Sequence, residues 1–474
     1  AKPSFPSSGE AATVTTRRTT AILAWAAAWL AASVAAVAAD ATDDRSGYAV
    51  VVSKATLAFP EWADVSAELL RKHGDAAPLV VAWEDSPDEA VAALAARMPR
   101  HACFVARPEE ATGEFVAAVH RLCRRLDDDP YTDVRWGILT GFDAANALAI
   151  ARTAEPLEVR RVTSGTELAM DRVVEGEWYS ELERGRMVRK AAGEAARDLA
   201  GPSDTTLALA ARLNDGLTDL FVTSGHATER DWQIGFRYPN GTFRSGAGKL
   251  RGVDTAGRTV PIESANPKVW LPVGNCLAGH VDGPDALALA FMNSAGVRQM
   301  IGYTVPTWFG YAGWGLLDYF VEQPGRYTLC EAFHANDHAL VHRLETKVAP
   351  ADERGLRFDR DVVAFYGDPA WEARMAPGPL AYGQELSERD GTFTLVVTPL
   401  AGAASFAPVN GNGSQRGGRP VVQFLPRRIG AAEVLEGADW KPVVTDDFVL
   451  VPLPQAGEPE PIRIVFRAAP VGTE

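Results

Sequence analysis

Short segments of consecutive apolar residues recur through the first two thirds of the sequence, and they restrict the fold more than any other feature. Such segments are typical of strands buried on both faces of a parallel sheet. Early in the chain they are residues 48–52, 79–83, 102–106 and 147–151. Segments with helical periodicity separate or follow them, at residues 62–72, 88–96, 179–199 and 205–213. This alternation predicts βαβ units and an α/β fold.

Two later apolar segments end close to a histidine and a cysteine. Residues 220–223 lead into Ser224-Gly225-His226, and residues 269–273 lead into Gly274-Asn275-Cys276. In open parallel sheets, the residues that follow the strands meet in one crevice. An imidazole raises the thiolate fraction of a neighbouring thiol and can protonate a leaving amine, so the pattern predicts a cysteine nucleophile with its base. The plainer alternative is a buried, unreactive cysteine and an ordinary loop histidine.

These two turns and several neighbouring segments resemble the gingipain-like cysteine peptidases of the caspase-like clan. The matching segments, all within residues 48–378, are residues 136–143, 223–227, 274–279, 286–292, 297–304 and 365–370. The resemblance implies that His226 is the general base, Cys276 the nucleophile and Trp308 part of the wall of the substrate pocket. It also implies a caspase-like, gingipain-type parallel-sheet sandwich of two α/β subdomains, followed by an immunoglobulin-like β domain.

The residue after the histidine departs from the family pattern. Relatives usually have glycine there, whereas this chain has Ala227, which keeps the N–H but disfavours positive φ. We predict that the backbone N–H groups of Ala227 and Cys276 stabilise the oxyanion. Glu229 and Asp231 are nearby carboxylates that could orient the imidazole. The predicted function is an exported cysteine endopeptidase that works through an acyl-enzyme; the alternative is a catalytically impaired pseudo-peptidase serving as a surface-binding or scaffold module.

The composition of the chain changes after about residue 378. Helical patterns give way to short strand-like segments separated by loops rich in glycine and proline, at residues 392–397, 421–425, 448–452 and 462–466. This pattern predicts a small β-sandwich whose role is support or attachment. The predicted organisation is a signal peptide at 1–39, a non-catalytic α/β subdomain at 40–165, a catalytic α/β subdomain at 166–378 and an immunoglobulin-like domain at 379–474.

The N-terminal residues predict export. Two arginines at 17–18 precede an alanine-rich apolar run at 21–39, which ends in small residues typical of a cleavage site. We expect cleavage and a secreted, periplasmic or cell-surface protein. The alternative is an uncleaved anchor, because the run is about long enough to span a bilayer. A membrane is a predicted partner only in that case.

Composition restricts the partners and cofactors. A net charge of −14 argues against nucleic acid, so protein or peptide substrates are the expected partners. The proposed chemistry requires no cofactor, although the resemblance allows structural calcium. Four cysteines are too few for a disulfide scaffold, and Cys103 and Cys123 are either a disulfide or buried free thiols.

A histidine-rich segment offers a second kind of chemistry. Its four potential ligands recur at a spacing of four residues: Cys330, His334, His338 and His342. Neighbours at this spacing share a helix face and can chelate a transition metal, which would suit a metal hydrolase. The alternative is a polar helix face with ordinary surface histidines. No third ligand can be assigned, so the metal site stays undefined.

Overall fold

The computed structural model describes residues 47–453 and 459–469. Its N-terminal part has the predicted alternation of strands and helices. The first strands are β1 (Tyr48–Ser53), β2 (Leu79–Trp83), β3 (His101–Val105) and β4 (Arg135–Leu139). The first helices are α1 (Lys54–Leu57), α2 (Pro60–Lys72), α3 (Val91–Arg97), α4 (Gly113–Cys123) and α5 (Ala144–Ala151). The predicted signal peptide at residues 1–39 lies outside the described residues.

The middle of the chain supplies most of the remaining strands. They are β5 (Leu157–Val159), β6 (Arg161–Ser164), β7 (Glu175–Tyr179), β8 (Arg186–Lys190), β9 (Arg197–Ala200), β10 (Leu220–Thr223), β11 (Asp231–Gln233), β12 (Thr242–Gly246), β13 (Lys249–Val253), β14 (Thr259–Ile262), β15 (Lys268–Pro272) and β16 (Val297–Tyr303). The accompanying helices are α6 (Thr206–Asn214) and α7 (Leu287–Ser294). Helices α8 (Tyr311–Phe320), α9 (Leu329–Glu345) and α10 (Pro350–Asp359) and strands β17 (Val363–Tyr366) and β18 (Ala373–Met375) follow.

Two predicted elements are wrong. Residues 147–151 belong to a helix, because the Asp143 side chain caps its start by accepting a hydrogen bond from the Asn146 N–H, and an apolar run alone does not distinguish helix from strand. Residues 179–199, predicted as one charged helix, instead lie in and between β7, β8 and β9. Gly185 and Gly193 adopt positive φ between these strands, which interrupts a helix and permits antiparallel turns.

One large sheet organises the α/β part. It has 12 strands in the order β2-β1-β3-β4-β17-β16-β15-β10-β6-β7-β8-β9. Most neighbours are parallel; the antiparallel pairs are β16–β17, β7–β8 and β8–β9. Strands β11 to β14 form a separate antiparallel sheet, and β5 pairs with β18. The protein is therefore a mixed α/β protein in which β10 and β15 are adjacent near the centre of the main sheet.

The C-terminal residues form two antiparallel sheets. Their strands are β19 (Tyr382–Arg389), β20 (Thr392–Pro399), β21 (Val421–Phe424), β22 (Ala432–Glu436), β23 (Val443–Val444), β24 (Phe448–Val451) and β25 (Ile462–Ala468). The predicted strands in this part are confirmed. Phe393 and Ile464 from one sheet and Val449 from the other share a buried apolar core. We call this part the C-terminal β unit.

Three of the cysteines are buried in the α/β part. Cys103, Cys123 and Cys330 are free thiols, so the structure contains buried thiols rather than the alternative disulfide. Burial raises the pKa of each of these thiols, which makes them poor nucleophiles. Within residues 47–453 and 459–469, the helices are all too short or too polar to span a membrane.

Candidate catalytic site

Two adjacent parallel strands carry the predicted site residues to the same edge of the sheet. Leu220 of β10 pairs with Val269 of β15, and Thr223 pairs with Pro272. His226 follows β10 and Cys276 follows β15, so both lie beyond the carboxyl ends of neighbouring strands. The structure therefore places the two turns next to each other at the carboxyl ends of the strands, where α/β proteins commonly bind ligands.

Asn275 joins the two turns. Its side chain is fully buried, its Oδ1 accepts a hydrogen bond from Thr223 Oγ1 at 2.7 Å, and its Nδ2 donates to the Gly225 carbonyl at 3.0 Å. The indole N–H of Trp270 also donates to Thr223 Oγ1, at 3.1 Å. No role for Asn275 was predicted from the sequence, although a polar residue between an apolar strand and a candidate nucleophile is itself a signal.

Cys276 is half-buried and its thiol lies beside a backbone donor. The Thr307 N–H donates to Sγ at 3.3 Å, and the Thr307 hydroxyl donates to the Asn275 carbonyl at 3.4 Å. Behind the thiol, the Leu277 N–H donates to the Val305 carbonyl at 3.2 Å. The residues after β16 therefore hold the cysteine turn in place.

His226 is exposed, and its ring makes no hydrogen bond with the Cys276 thiol within the described residues. The imidazole packs against Phe236, with 5.0 Å between ring centroids. Among the described residues, no hydrogen bond joins the His226 ring to Cys276, Glu229 or Asp231. The Asp231 carboxylate accepts from the Thr228 hydroxyl at 3.3 Å instead. The two suggested orienting carboxylates are therefore not in contact with the imidazole in this arrangement.

Ala227 fits its turn without positive φ, because the left-handed conformation falls on Gly225, at φ 88°. Ala227 faces Trp232 in an antiparallel bridge, and the hydrogen bonds of that bridge are made by flanking residues: the Gln233 N–H donates to the His226 carbonyl at 2.9 Å. Within the described part of the chain, the N–H groups of Ala227 and Cys276 donate to no acceptor. Both predicted oxyanion donors are thus free of intramolecular partners there.

Trp308 follows directly on the residue that contacts the thiol. Its side chain is 53% exposed and rests on Phe309 and Phe358, with ring centroids 5.7 and 5.3 Å away. A large exposed aromatic surface near a candidate nucleophile suits an apolar part of a substrate. Its assignment as a pocket wall stays a prediction.

A buried carboxylate behind the histidine turn was not predicted. Glu181 accepts hydrogen bonds from the Ser224 hydroxyl and from Thr166 Oγ1, the latter at 2.7 Å. Burial raises the pKa of Glu181, and the hydrogen bonds oppose that rise. Glu181 lies just beyond β7, in the segment predicted to be a helix. Because this segment was predicted to be a helix, the position of Glu181 at the end of a strand was not predicted from the sequence.

Most of the histidine-rich helix α9 is buried, including His334 and His338, so the alternative of ordinary surface histidines is wrong for these two. His334 Nε2 accepts from the Trp136 N–H at 2.9 Å, and His338 stacks on Phe448 with ring centroids 4.1 Å apart. Burial lowers the pKa of His338 to about 3, so its ring is neutral at physiological pH. Neither these residues nor Cys330 and His342 belong to a cluster of three potential metal ligands within the described residues. The geometry gives no support to a metal hydrolase on this helix.

Three carboxylates meet at a different place. Oxygen atoms of Asp127, Asp129 and Asp133 lie within 4.8 Å of one another. Burial, followed by the charge of Asp127, raises the pKa of Asp133 to about 9. Donor sets made only of oxygen are those that calcium takes, whereas zinc prefers nitrogen and sulfur. Structural calcium stays a prediction.

Comparisons with known proteins do not assign this protein to a class. No protein-family model matches the chain, and no curated protein matches it. Among solved structures, a complex of Porphyromonas gingivalis RgpB pro- and mature domains is similar, with a TM-score of 0.43 and 10% sequence identity. The match covers 86% of this chain and 94% of that one. A similarity at this level does not assign a fold family.

Proposed function

We propose that this protein is an exported cysteine endopeptidase with Cys276 as nucleophile and His226 as general base. The supporting observation is the arrangement of β10 and β15, which brings a thiol and an imidazole to one sheet edge on turns joined by Asn275. Peptides are the fitting substrate class because the donor beside the thiol is a backbone N–H, that of Thr307, and the next residue, Trp308, carries an exposed indole.

The reaction proceeds in two halves. His226 takes the proton of Cys276, and the thiolate attacks the scissile carbonyl to form a tetrahedral oxyanion, which the N–H groups of Cys276 and Ala227 stabilise. The imidazolium then protonates the leaving amine as the C–N bond breaks, leaving a thioester. In the second half, His226 takes a proton from water as the hydroxide attacks the thioester, the C–S bond breaks to release the carboxylic acid, and the imidazolium returns its proton to the Cys276 thiolate. His226 must turn away from Phe236 to reach the thiol, as catalytic contacts in free enzymes often tighten only with substrate bound.

A pseudo-peptidase that serves as a binding or scaffold module is the second candidate. It is favoured by one observation, the absence of a hydrogen bond between the His226 ring and Cys276 within the described residues. On this alternative the crevice still binds an extended peptide, but Cys276 has no enhanced reactivity.

The proposal extends to location and domain organisation. Residues 1–39 are the export signal, residues 40–165 and 166–378 form the two caspase-like, gingipain-type subdomains, and the C-terminal β unit is an immunoglobulin-like module. Comparison of the N-terminal residue of the protein from culture medium, periplasm and cytoplasm tests the export step. A cytoplasmic chain that retains residues 1–39 would contradict it.

The test of catalysis is labelling of Cys276 by a library of peptide acyloxymethyl ketones, followed by mass spectrometry of the folded protein. We expect Cys276 to be labelled and Cys103, Cys123 and Cys330 to be spared, because those three are buried. Substitution His226→Ala should slow the labelling about 100-fold or more, since general base catalysis contributes at least that much. Cys276→Ala is the negative control.

The same experiment separates the two candidates. Labelling of Cys276 at the rate of an unstructured cysteine peptide, unchanged in His226→Ala, rules out the peptidase and favours the binding module. Rapid labelling that depends on His226 also gives the preferred side chain at once, because the library varies that position.

A further inference from the structure

A loop of the C-terminal β unit lies against the candidate catalytic site. Residues 400–420 connect β20 to β21, and we call residues 408–419 of this connection the strap. The strap contacts helix α8 and residues that lie against both catalytic turns. The C-terminal β unit was predicted to provide support or attachment alone.

A buried ionic cluster fixes the strap to α8 and its C-terminal end. Arg416 donates from Nε to Asp318 Oδ1 at 2.7 Å and from Nη2 to Glu322 Oε1 at 2.5 Å. The Gly417 N–H donates to Asp318 Oδ2 at 3.0 Å, and the Val409 N–H donates to Glu322 Oε2 at 2.9 Å. All three charged side chains are less than 8% exposed. Buried pairs with several charge-assisted hydrogen bonds permit little variation in geometry.

On the histidine side, the strap contributes Asn412. Its Nδ2 lies 2.8 Å from Thr166 Oγ1, 2.9 Å from Glu167 Oε2 and 3.2 Å from Glu181 Oε1. The other carboxylate oxygen of Glu181 accepts from the hydroxyl of Ser224, two residues before His226. One amide of the C-terminal β unit therefore reaches the histidine turn through a single buried carboxylate.

On the cysteine side, the strap contacts Trp314. Gly413 lies so close to the indole that a Cβ at this position would overlap the ring. The same indole also lies against Gly274, where a Cβ would be 2.8 Å from Nε1. Gly274 is two residues before Cys276. The indole of Trp314 therefore contacts both the strap and the cysteine turn, with no room for a Cβ at either glycine.

From these two contacts we infer that the strap positions both catalytic turns, and that Asn412 is a positioning residue for His226, acting through Glu181. The inference rests on the proposed function for its catalytic meaning. The C-terminal β unit then completes the site. The amide suits this place because it donates to two carboxylates without adding a third negative charge.

The test compares Asn412→Asp with Gln415→Asn. The first variant has nearly the same shape but replaces the amide donors with a carboxylate facing Glu167 and Glu181. The second is a matched control on the same strap, at a residue whose side chain makes no hydrogen bond within the described residues and whose φ of 57° asparagine tolerates. Two measurements are made: the rate of Cys276 alkylation by iodoacetamide from pH 5 to 8, and hydrogen exchange of the amides in residues 223–227 and 274–277.

We expect Asn412→Asp to slow alkylation about 10-fold at pH 7, since a small misplacement of reacting groups has effects of this size or larger. The ratio of variant to wild-type rate should rise as the pH falls, because protonation of the crowded carboxylates relieves their repulsion. Exchange should increase in both turns. Gln415→Asn should match the wild type in both measurements.

The two possible failures are distinguishable. If wild-type Cys276 shows no reactivity that depends on His226, the proposed function fails, and exchange alone decides whether the strap positions the turns. If exchange in both turns and the alkylation rate of Asn412→Asp equal those of the wild type, the inference about the strap is overturned whatever the wild-type activity.

Discussion

Replacing Asp368 with alanine should destabilise the fold by about 3–5 kcal/mol, because it leaves a buried cation without its partner. The Asp368 carboxylate is 1% exposed and accepts from Tyr48 Oη at 2.9 Å and from Lys72 Nζ at 2.8 Å. His73 Nε2 is also 2.8 Å away. These contacts join the start of the main sheet to the segment after β17. Urea unfolding measures the loss, and Asp198→Ala, which removes a largely exposed ion pair with Arg186, is the control with an expected loss below about 1 kcal/mol.

The same carboxylate should make the fold sensitive to acid. Burial alone would raise the pKa of Asp368, but the contacts with His73 and Lys72 outweigh it and hold the pKa well below its usual range. A depressed pKa contributes stability that is present above the unfolded-state pKa of about 4 and is lost as the pH falls below it. The stability gap between the wild type and Asp368→Asn should therefore shrink below pH 4. A gap that stays constant down to pH 2 would contradict this assignment.

Replacing Asn275 with leucine should slow Cys276 labelling about 100-fold, because the histidine and cysteine turns lose their direct connection. Leucine retains the approximate volume but leaves the Gly225 carbonyl and the Thr223 hydroxyl without their buried partner. Unsatisfied buried groups of this kind should lower the free energy of unfolding by about 2–3 kcal/mol. Labelling kinetics at 25 °C, where the variant is still folded, separate the catalytic effect from the loss of stability.

Asn293→Leu provides the matched control for this substitution. The Asn293 side chain donates to the Gly248 carbonyl at 2.9 Å, away from both turns. We expect it to lose some stability and to label at the wild-type rate. If Asn275→Leu labels as fast as Asn293→Leu, Asn275 is a structural residue without influence on the site.

The positions of His226 and Cys276 were predictable because both follow fully apolar strands, and such strands can only be central in a sheet. Glu181 was not predictable, since the charged residues around it occur at spacings compatible with an amphipathic helix, and only the glycines at 185 and 193 indicate turns. The burial of His334 and His338 could not be predicted from the sequence either. Their surroundings come from Trp136 and Phe448, which are remote in sequence and meet only when α9 packs between the main sheet and the C-terminal β unit.

The contacts of the strap could not be predicted from the sequence, for a different reason. Asn410-Gly411-Asn412-Gly413-Ser414 has the composition of an ordinary exposed loop, and no local signal marks the partner of Asn412. Thr166 and Glu181 precede it by 246 and 231 residues. Contacts over such separations are set by the packing of whole units. A sequence pattern indicates the local conformation of the loop but not the residues that it contacts.

The strap follows both turns in the chain, and this order has a consequence for the timing of activity. During synthesis, both catalytic turns leave the ribosome more than 100 residues before Asn412 does. A partly made or truncated chain that already contains His226 and Cys276 therefore lacks the residues that hold them in register. On this inference a chain that stops before Asn412 has little activity, because a unit synthesised after the two turns is the one that completes the site.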